Sequence, residues 1–318
     1  MKEILIVGAG AMGAAFSIPL LDNGHSVSLT EPYNLKLLKK LSSKKKFHPS
    51  LNINLPKKLE INKFSSEILN RKWDLIVIAV SSIGIDSIGK NLSKVKNRSP
   101  ILVLTKGLKL DGGNLISISS QLRKFNKNLN ISVLKGPCLA KELAQKVKSL
   151  TVVANKNINT AKKIGKLIST NYYQTEFSRD VNGVEFLSAI KNIYSMIIGA
   201  GQWHNTSSAL FRKSIDEMKY LANYFKGKKE TVYGLAGLGD LYVSAMGGRN
   251  SKMGEYLGKG FTFTKAKKKF MKNETVEGAD LAREIAPFIF KKINKRKIPL
   301  MISLLETIVK NKKLKINY

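Results

Sequence analysis

Four apolar residues, Ile4 to Val7, run straight into Gly8-Ala9-Gly10-Ala11-Met12-Gly13. A short strand apolar on both faces suits the middle of a parallel sheet. A helical pattern with Phe16, Leu20 and Leu21 follows, Gly24 supplies its stop, and a second strand, Ser26 to Leu29, leads to Glu31. Each glycine of the turn has a physical task. Gly8 makes the tight turn, Gly10 lets the backbone approach a pyrophosphate, and Gly13 lets the helix pack close to the strand. The N–H groups and positive dipole end of the helix then meet the phosphates. An acid roughly 20 residues further on can accept from ribose hydroxyls and repels a 2′-phosphate. The segment predicts a dinucleotide site on Gly8, Gly10, Gly13 and Glu31, with NAD favoured over NADP.

Asp74 to Val80 and Ile101 to Leu104 read as further buried strands, the second ending in Thr105-Lys106-Gly107. Ile131 to Leu134 is another, ending in Lys135-Gly136-Pro137-Cys138. Strands alternating with helices predict an α/β, Rossmann-type doubly wound sheet. Ligands of such sheets sit beyond the carboxyl ends of the strands, where Gly10, Ser81, Lys106 and Gly136 fall.

After Tyr172 and Tyr173 the pattern turns helical. Val181 to Gly199 reads as one long helix with Val184, Leu187, Ile190, Ile197 and Ile198 on an apolar stripe. Lys191 lies four residues after Leu187 and shares its face. A lysine there must snorkel, pair or serve chemistry. Met253 to Leu257, Phe263 to Phe270, Asp280 to Phe290 and Leu300 to Val309 are also helical in pattern. The expected division is therefore a dinucleotide-binding domain over 1–180 and an all-helical domain over 181–318.

Composition narrows the partners. The 318 residues carry a net charge of +33, mostly as lysine. Nucleic-acid surfaces enrich arginine and interleave aromatics. Here lysine is spread through the chain beside abundant asparagine and isoleucine, a pattern that suits an A/T-rich coding bias as well as a binding surface. Lys44 to Lys46 and Lys267 to Lys269 read as solvated faces, and nucleic acid is not the expected partner. A positive field would still steer anionic substrates, and peripheral contact with an anionic membrane stays open. The single cysteine, Cys138, excludes an internal disulfide and a cysteine metal cluster, and His25, His48 and His204 show no ligand spacing, so no metal is expected. The most apolar stretch, Ile190 to Ala200, is too short to span a bilayer. With no stretch resembling a signal peptide, the expectation is a soluble, cytoplasmic protein.

Between Gly234 and Asn250 the chain reads Gly-Leu-Ala-Gly-Leu-Gly-Asp-Leu-Tyr-Val-Ser-Ala-Met-Gly-Gly-Arg-Asn. Its glycines weaken any helix or strand, and Asp240, Arg249 and Asn250 are too polar to fill a core unpaired. The string predicts a glycine-rich bend that grips a small charged ligand. It resembles a signature of the NAD(P)-dependent glycerol-3-phosphate dehydrogenases, Gly-Leu-Ala-Gly-x-Gly-Asp-Leu followed by Arg-Asn. The resemblance runs in order through the glycine turn, Leu55-Pro56 to Leu59, Thr105-Lys106-Gly107, Gly136-Pro137-x-x-Ala140-x-Glu142, Lys191-Asn192 and Val276-Glu277-Gly278.

The resemblance implies a second domain like that of 6-phosphogluconate dehydrogenase and a reaction between dihydroxyacetone phosphate and sn-glycerol 3-phosphate. It makes Lys191 the acid/base. It puts Lys106, Gly136, Cys138, Asp240, Arg249 and Asn250 at the substrate, and Ala11, Met12, Lys106, Ala140, Arg249 and Glu277 at the cofactor. A homodimer is expected, with the helical domain carrying the interface. Hydride reduction of a ketone builds negative charge on its oxygen, which an adjacent ammonium stabilises and protonates. Arg249 offers a planar fork for a phosphate, and Asp240 either orients Lys191 or binds a substrate hydroxyl. The chain departs from the family at Cys138 (usually serine or threonine), Gly248 (usually serine), Ser81-Ser82 (often proline) and Gln202-Trp203-His204 (usually an Asp-Gly pair). Two other readings compete. One is a ketopantoate reductase or 3-hydroxyacid dehydrogenase type of reductase, with a different small anionic substrate. The other is a basic nucleic-acid-binding scaffold, for which Lys106, Lys191, Asp240 and Arg249 have no use.

Overall fold

The computed structural model describes residues 1–96 and 98–316, and divides them into two compact units. The first is Met1–Lys106 with Ile118–Val181; the second is Gly107–Ser117 with Asn182–Tyr318.

The first unit begins with β1 (Glu3–Val7), α1 (Ala11–Asp22), β2 (Ser26–Glu31), α2 (Leu35–Leu41), β3 (Phe47–His48), β4 (Ile53–Asn54), β5 (Glu60–Lys63), α3 (Ser66–Asn70), β6 (Leu75–Ile78), α4 (Ile85–Leu92) and β7 (Ile101–Val103). The hairpin β8 (Leu108–Asp111) and β9 (Asn114–Ser117) belongs to the second unit. The first unit resumes with α5 (Ile118–Phe125), β10 (Ile131–Lys135), α6 (Ala140–Ala144), β11 (Ser149–Ala154), α7 (Ile158–Ile168) and β12 (Tyr173–Ser178). Eight strands form one sheet in the order β12-β11-β10-β7-β6-β1-β2-β5. Neighbours are parallel except β10 and β11.

All five buried strands expected from the sequence lie in this sheet. From β1 the chain builds outward through β2 and β5, then returns to β6 on the other side, so the order reverses between β1 and β6. Gly8 sits at that reversal with φ +109, and a Cβ there would come within 2.7 Å of the Ala79 and Val80 backbone. A Cβ on Gly13 would lie 1.9 Å from the Gly8 carbonyl oxygen. The turn is therefore closed to side chains at both positions. The edge strands β5 and β12, and β11 next to β12, lack the wholly apolar runs of the centre, which is why hydropathy alone does not mark them.

The second unit contains α8 (Val181–Ala200), α9 (His204–Tyr224), α10 (Lys229–Tyr233), a π-helical turn (Leu235–Gly239), α11 (Asp240–Ala245), α12 (Arg249–Gly258), α13 (Phe263–Phe270), α14 (Glu277–Lys292) and α15 (Pro299–Val309). α8 is buried almost all round, as a helix at the centre of a bundle must be. Its backbone meets α12 closely: a Cβ on Gly254 would lie 2.0 Å from the Met196 carbonyl oxygen.

Residues 182–316 are helical as expected, and two features add to that reading. The unit also takes in residues 107–117, which the division at 180 places in the first half and which pack their Leu108, Leu110 and Leu115 with the second core. Leu110 N–H donates to Glu284 at 2.8 Å and the Ser117 hydroxyl to Glu185 at 2.7 Å. Gly234 to Asn250 is not a simple bend. Leu235 to Ala245 is helical, first π and then α, and Gly237 presses against Val232, where a Cβ would fall 2.2 Å from the carbonyl oxygen.

Candidate functional site

The glycine turn is held on both sides of Ala9. The Glu31 carboxylate accepts from Ala9 N–H at 2.8 Å, and His48 Nε2 lies 3.0 Å from the Ala9 carbonyl oxygen. Leu51 N–H donates to His48 Nδ1 at 3.3 Å, which leaves Nε2 carrying the proton toward Ala9. Glu31 also accepts from Tyr33 and Asn34 N–H at 2.9 and 3.0 Å, and is 7% exposed. The residue expected at the ribose is thus also the clamp joining the end of β2 to the glycine turn. Sequence reasoning passed over His48, since a lone histidine before Pro49 carries no local signal of such a contact.

Among the described residues no side chain caps α1, and its first turn holds no acid. Its leading N–H groups, from Ala11, Met12 and Gly13, therefore lack side-chain acceptors, and Gly10 has nothing within 4 Å of where a Cβ would stand. A concave backbone with free donors and open space fits the pyrophosphate of a dinucleotide. The remaining first-unit residues lie past β7 and β10. Lys106 is half-buried, Gly136 has φ +118, and Ala140 opens α6. Cys138 packs on the first core, its thiol hydrogen-bonded to Tyr173, whose hydroxyl pKa burial holds well above the usual value.

In the second unit α8 presents Lys191 to α11. The lysine is 7% exposed and Asp240 is 2% exposed, and Nζ donates to Asp240 Oδ1 at 2.7 Å. The same Nζ makes a short hydrogen bond to the Ser244 hydroxyl. Asp240 and Ser244 are four apart on one helix and so share a face. Sequence reasoning did not single out Ser244; the four-residue spacing was the available signal, hidden by treating the segment as a bend. The next residue of α8, Asn192, donates to Glu277 at 3.4 Å, and Arg249 pairs with Glu277 at 3.3 Å from the start of α12. Asn250 accepts from Gly278 N–H at 2.9 Å. Lys191, Asp240, Arg249, Asn250 and Glu277 thus gather where the first turns of α11, α12 and α14 meet the middle of α8.

This set does two things chemically. A desolvated ammonium, aimed by a carboxylate and touching a hydroxyl, can give a proton to a developing alkoxide and take it back. A guanidinium about half exposed on its own helix N-terminus can meet an anion. Among the described residues, no group of three or more His, Cys, Asp or Glu side chains is placed to hold a metal ion.

A dinucleotide-type glycine turn and a buried lysine paired with a carboxylate are what an NAD(P)-dependent oxidoreductase acting on a CH–OH group carries. The family described as "NAD-dependent glycerol-3-phosphate dehydrogenase N-terminus" matches residues 3–161, and its C-terminus counterpart matches residues 180–316. The chain belongs to this family of glycerol-3-phosphate dehydrogenases. It is 29% identical over 283 residues to an NADP(+)-dependent glycerol-3-phosphate dehydrogenase of Archaeoglobus fulgidus, covering 83% of this chain and 82% of that one. It is 30% identical to a glycerol-3-phosphate dehydrogenase [NAD(P)+] of Fusobacterium nucleatum, covering 98% and 94%. The crystal structure of the Coxiella burnetii glycerol-3-phosphate dehydrogenase shares the fold at a TM-score of 0.85 and 24% identity, covering 98% and 96%.

Proposed function

We propose that the chain reduces dihydroxyacetone phosphate to sn-glycerol 3-phosphate, and runs the reverse oxidation, with NAD(H) favoured and NADP(H) accepted. The observation that carries the reading is the buried Lys191–Asp240–Ser244 set beside the Arg249–Glu277 pair. When bound, the nicotinamide supplies or accepts the hydride. Lys191 Nζ gives its proton to the ketone oxygen as charge builds there, and takes it from the alcohol in the reverse direction. Asp240 fixes the direction of Nζ and stabilises the ammonium. The Ser244 hydroxyl can accept from Nζ and pass a proton onward. Arg249 and Asn250 bind the substrate phosphate, and Glu277 holds the guanidinium until it arrives. On the first unit, Gly8, Gly10, Ala11, Met12 and Gly13 cradle the pyrophosphate, and Ala140 adds a cofactor contact. Lys106, Gly136 and Cys138 serve the substrate. The buried Glu31 carboxylate supports NAD over NADP, since a 2′-phosphate placed beside it would be repelled.

The product is the backbone of glycerophospholipids, so the enzyme supplies their synthesis. A homodimer formed through the second unit, a cytoplasmic location and transient contact with anionic membrane complete the proposal. Among the described residues no helix is long and apolar enough to cross a membrane. The test is spectrophotometric oxidation of NADH and NADPH with dihydroxyacetone phosphate. Lys191→Ala is expected to lower kcat by about a hundredfold or more; retention of over about a tenth of it would end the acid/base assignment.

A further inference from the structure

Lys135, the last residue of β10, is 2% exposed, and its ammonium takes no part in the chemistry above. Its Nζ donates to three consecutive carbonyl oxygens: Val103 and Leu104 at 3.2 Å each, and Thr105 at 2.6 Å. Successive carbonyls of an extended strand point to opposite sides. Three that converge on one cation require the chain to curl. The curl begins where pairing ends: the β7–β10 ladder closes at Val103 with Val133, and the β6–β7 ladder at Ile78 with Val103. On the other side the Thr105 hydroxyl donates to the Val80 carbonyl at 2.8 Å.

A buried lysine is costly unless its charge is met by hydrogen bonds, and a leucine would fill the same space at no such cost. What the ammonium supplies instead is position. It ties the exit of β10, which leads directly to Gly136, to the exit of β7, which leads directly to Lys106. We infer that Lys135 is a positioning residue for the reaction, its ammonium clamping the Val103–Thr105 carbonyls so that Lys106 is held in its working orientation. The inference rests on the reading of Lys106 as a substrate and cofactor contact.

The test has two arms. In hydrogen exchange, Lys135→Met is expected to speed exchange of the amides from Leu104 to Gly107 by about tenfold or more, while β1 keeps its protection. In kinetics, Lys135→Met is expected to lower kcat/KM for dihydroxyacetone phosphate by about tenfold. In a Lys106→Met background the same change should cost less than about twofold, because a residue that acts through Lys106 has nothing left to act on. NADH binding followed by fluorescence reports whether the first unit is folded. Lys135→Gln, neutral but able to donate two hydrogen bonds, is the second variant and should fall between wild type and Lys135→Met in both arms. Unchanged exchange at Leu104 to Gly107, or effects that multiply in the double variant, would overturn the inference. A wild-type chain that does not reduce dihydroxyacetone phosphate would remove the proposed function, and the exchange arm would still decide whether Lys135 holds the turn.

Discussion

Lys191 and Asp240 form an ion pair almost wholly withdrawn from water, and such a pair is a poor choice for stability alone, since both charges must be desolvated. The proposed acid/base role gives the pair its use, as a proton donor held in one direction. Ser244 touches the same nitrogen, so Ser244→Ala is expected to leave the pair standing and lower kcat by about tenfold with little change in KM for the substrate. Steady-state kinetics check this, and a kcat within about twofold of wild type would take Ser244 out of the proton path. Lys191 was legible because a cation on the apolar stripe of a long helix needs a reason. Asp240 and Arg249 were legible as polar residues among glycines. Ser244 was not, because a four-residue spacing means nothing until the segment is known to be helical. The grip of Glu31 and His48 on Ala9 was also hidden, since it joins β1, β2 and the β3–β4 hairpin, which only the tertiary fold brings together.

Among the elements, α15 begins with a proline, and its first N–H groups would be orphaned without an acceptor. Glu217 of α9 takes them, accepting from Leu300 at 2.6 Å and Met301 at 3.0 Å, and also from the Tyr194 hydroxyl at 3.0 Å. These donors favour the carboxylate, but burial at 4% exposure outweighs them and pushes the pKa up to about 7. A folded-state pKa above the unfolded value means that protons are held more tightly in the native state. The contribution is complete below about pH 4.5 and is lost as pH rises through 7. Glu217→Gln removes this titration. Denaturant unfolding at pH 5 and pH 7.5 should show wild type losing stability relative to the variant, by on the order of 2–3 kcal/mol. The contact of α8 with α12 gives a second test. Gly254→Ala must push α12 off the Met196 carbonyl, and is expected to destabilise the second unit by about 2 kcal/mol or more, read as a lower thermal midpoint. The sheet centre and the long helices were legible because apolar runs and stripes are local. The β8–β9 hairpin carried a usable signal that went unread: Asp111-Gly112-Gly113-Asn114, with both glycines at positive φ, suits a two-residue hairpin turn.

At the scale of the molecule, the chain carries a net charge of +33 and its proposed substrate is a dianion. Raising ionic strength from about 20 to about 300 mM is expected to lower kcat/KM severalfold while kcat holds, since screening removes steering and leaves the bound state largely untouched. A kcat/KM indifferent to salt would make the lysine excess a property of composition alone. The family and the nature of its cofactor were legible because motifs keep their order along the chain. The assignment of residues 107–117 to the second unit was not, because tertiary partners decide it. That assignment bears on how this protein can be recombined. The chain passes from one unit to the other at 106/107, at 117/118 and again at 181/182. Neither unit is a continuous stretch, so one cut cannot free either of them intact. A fragment ending at 181 carries away Leu108, Leu110 and Leu115 from the core they complete, and the remainder keeps Glu185 and Glu284 without the hydrogen-bond donors they hold. A chimera that exchanges one unit with a relative therefore needs three junctions, and one spliced at a single point inherits a mismatched hairpin.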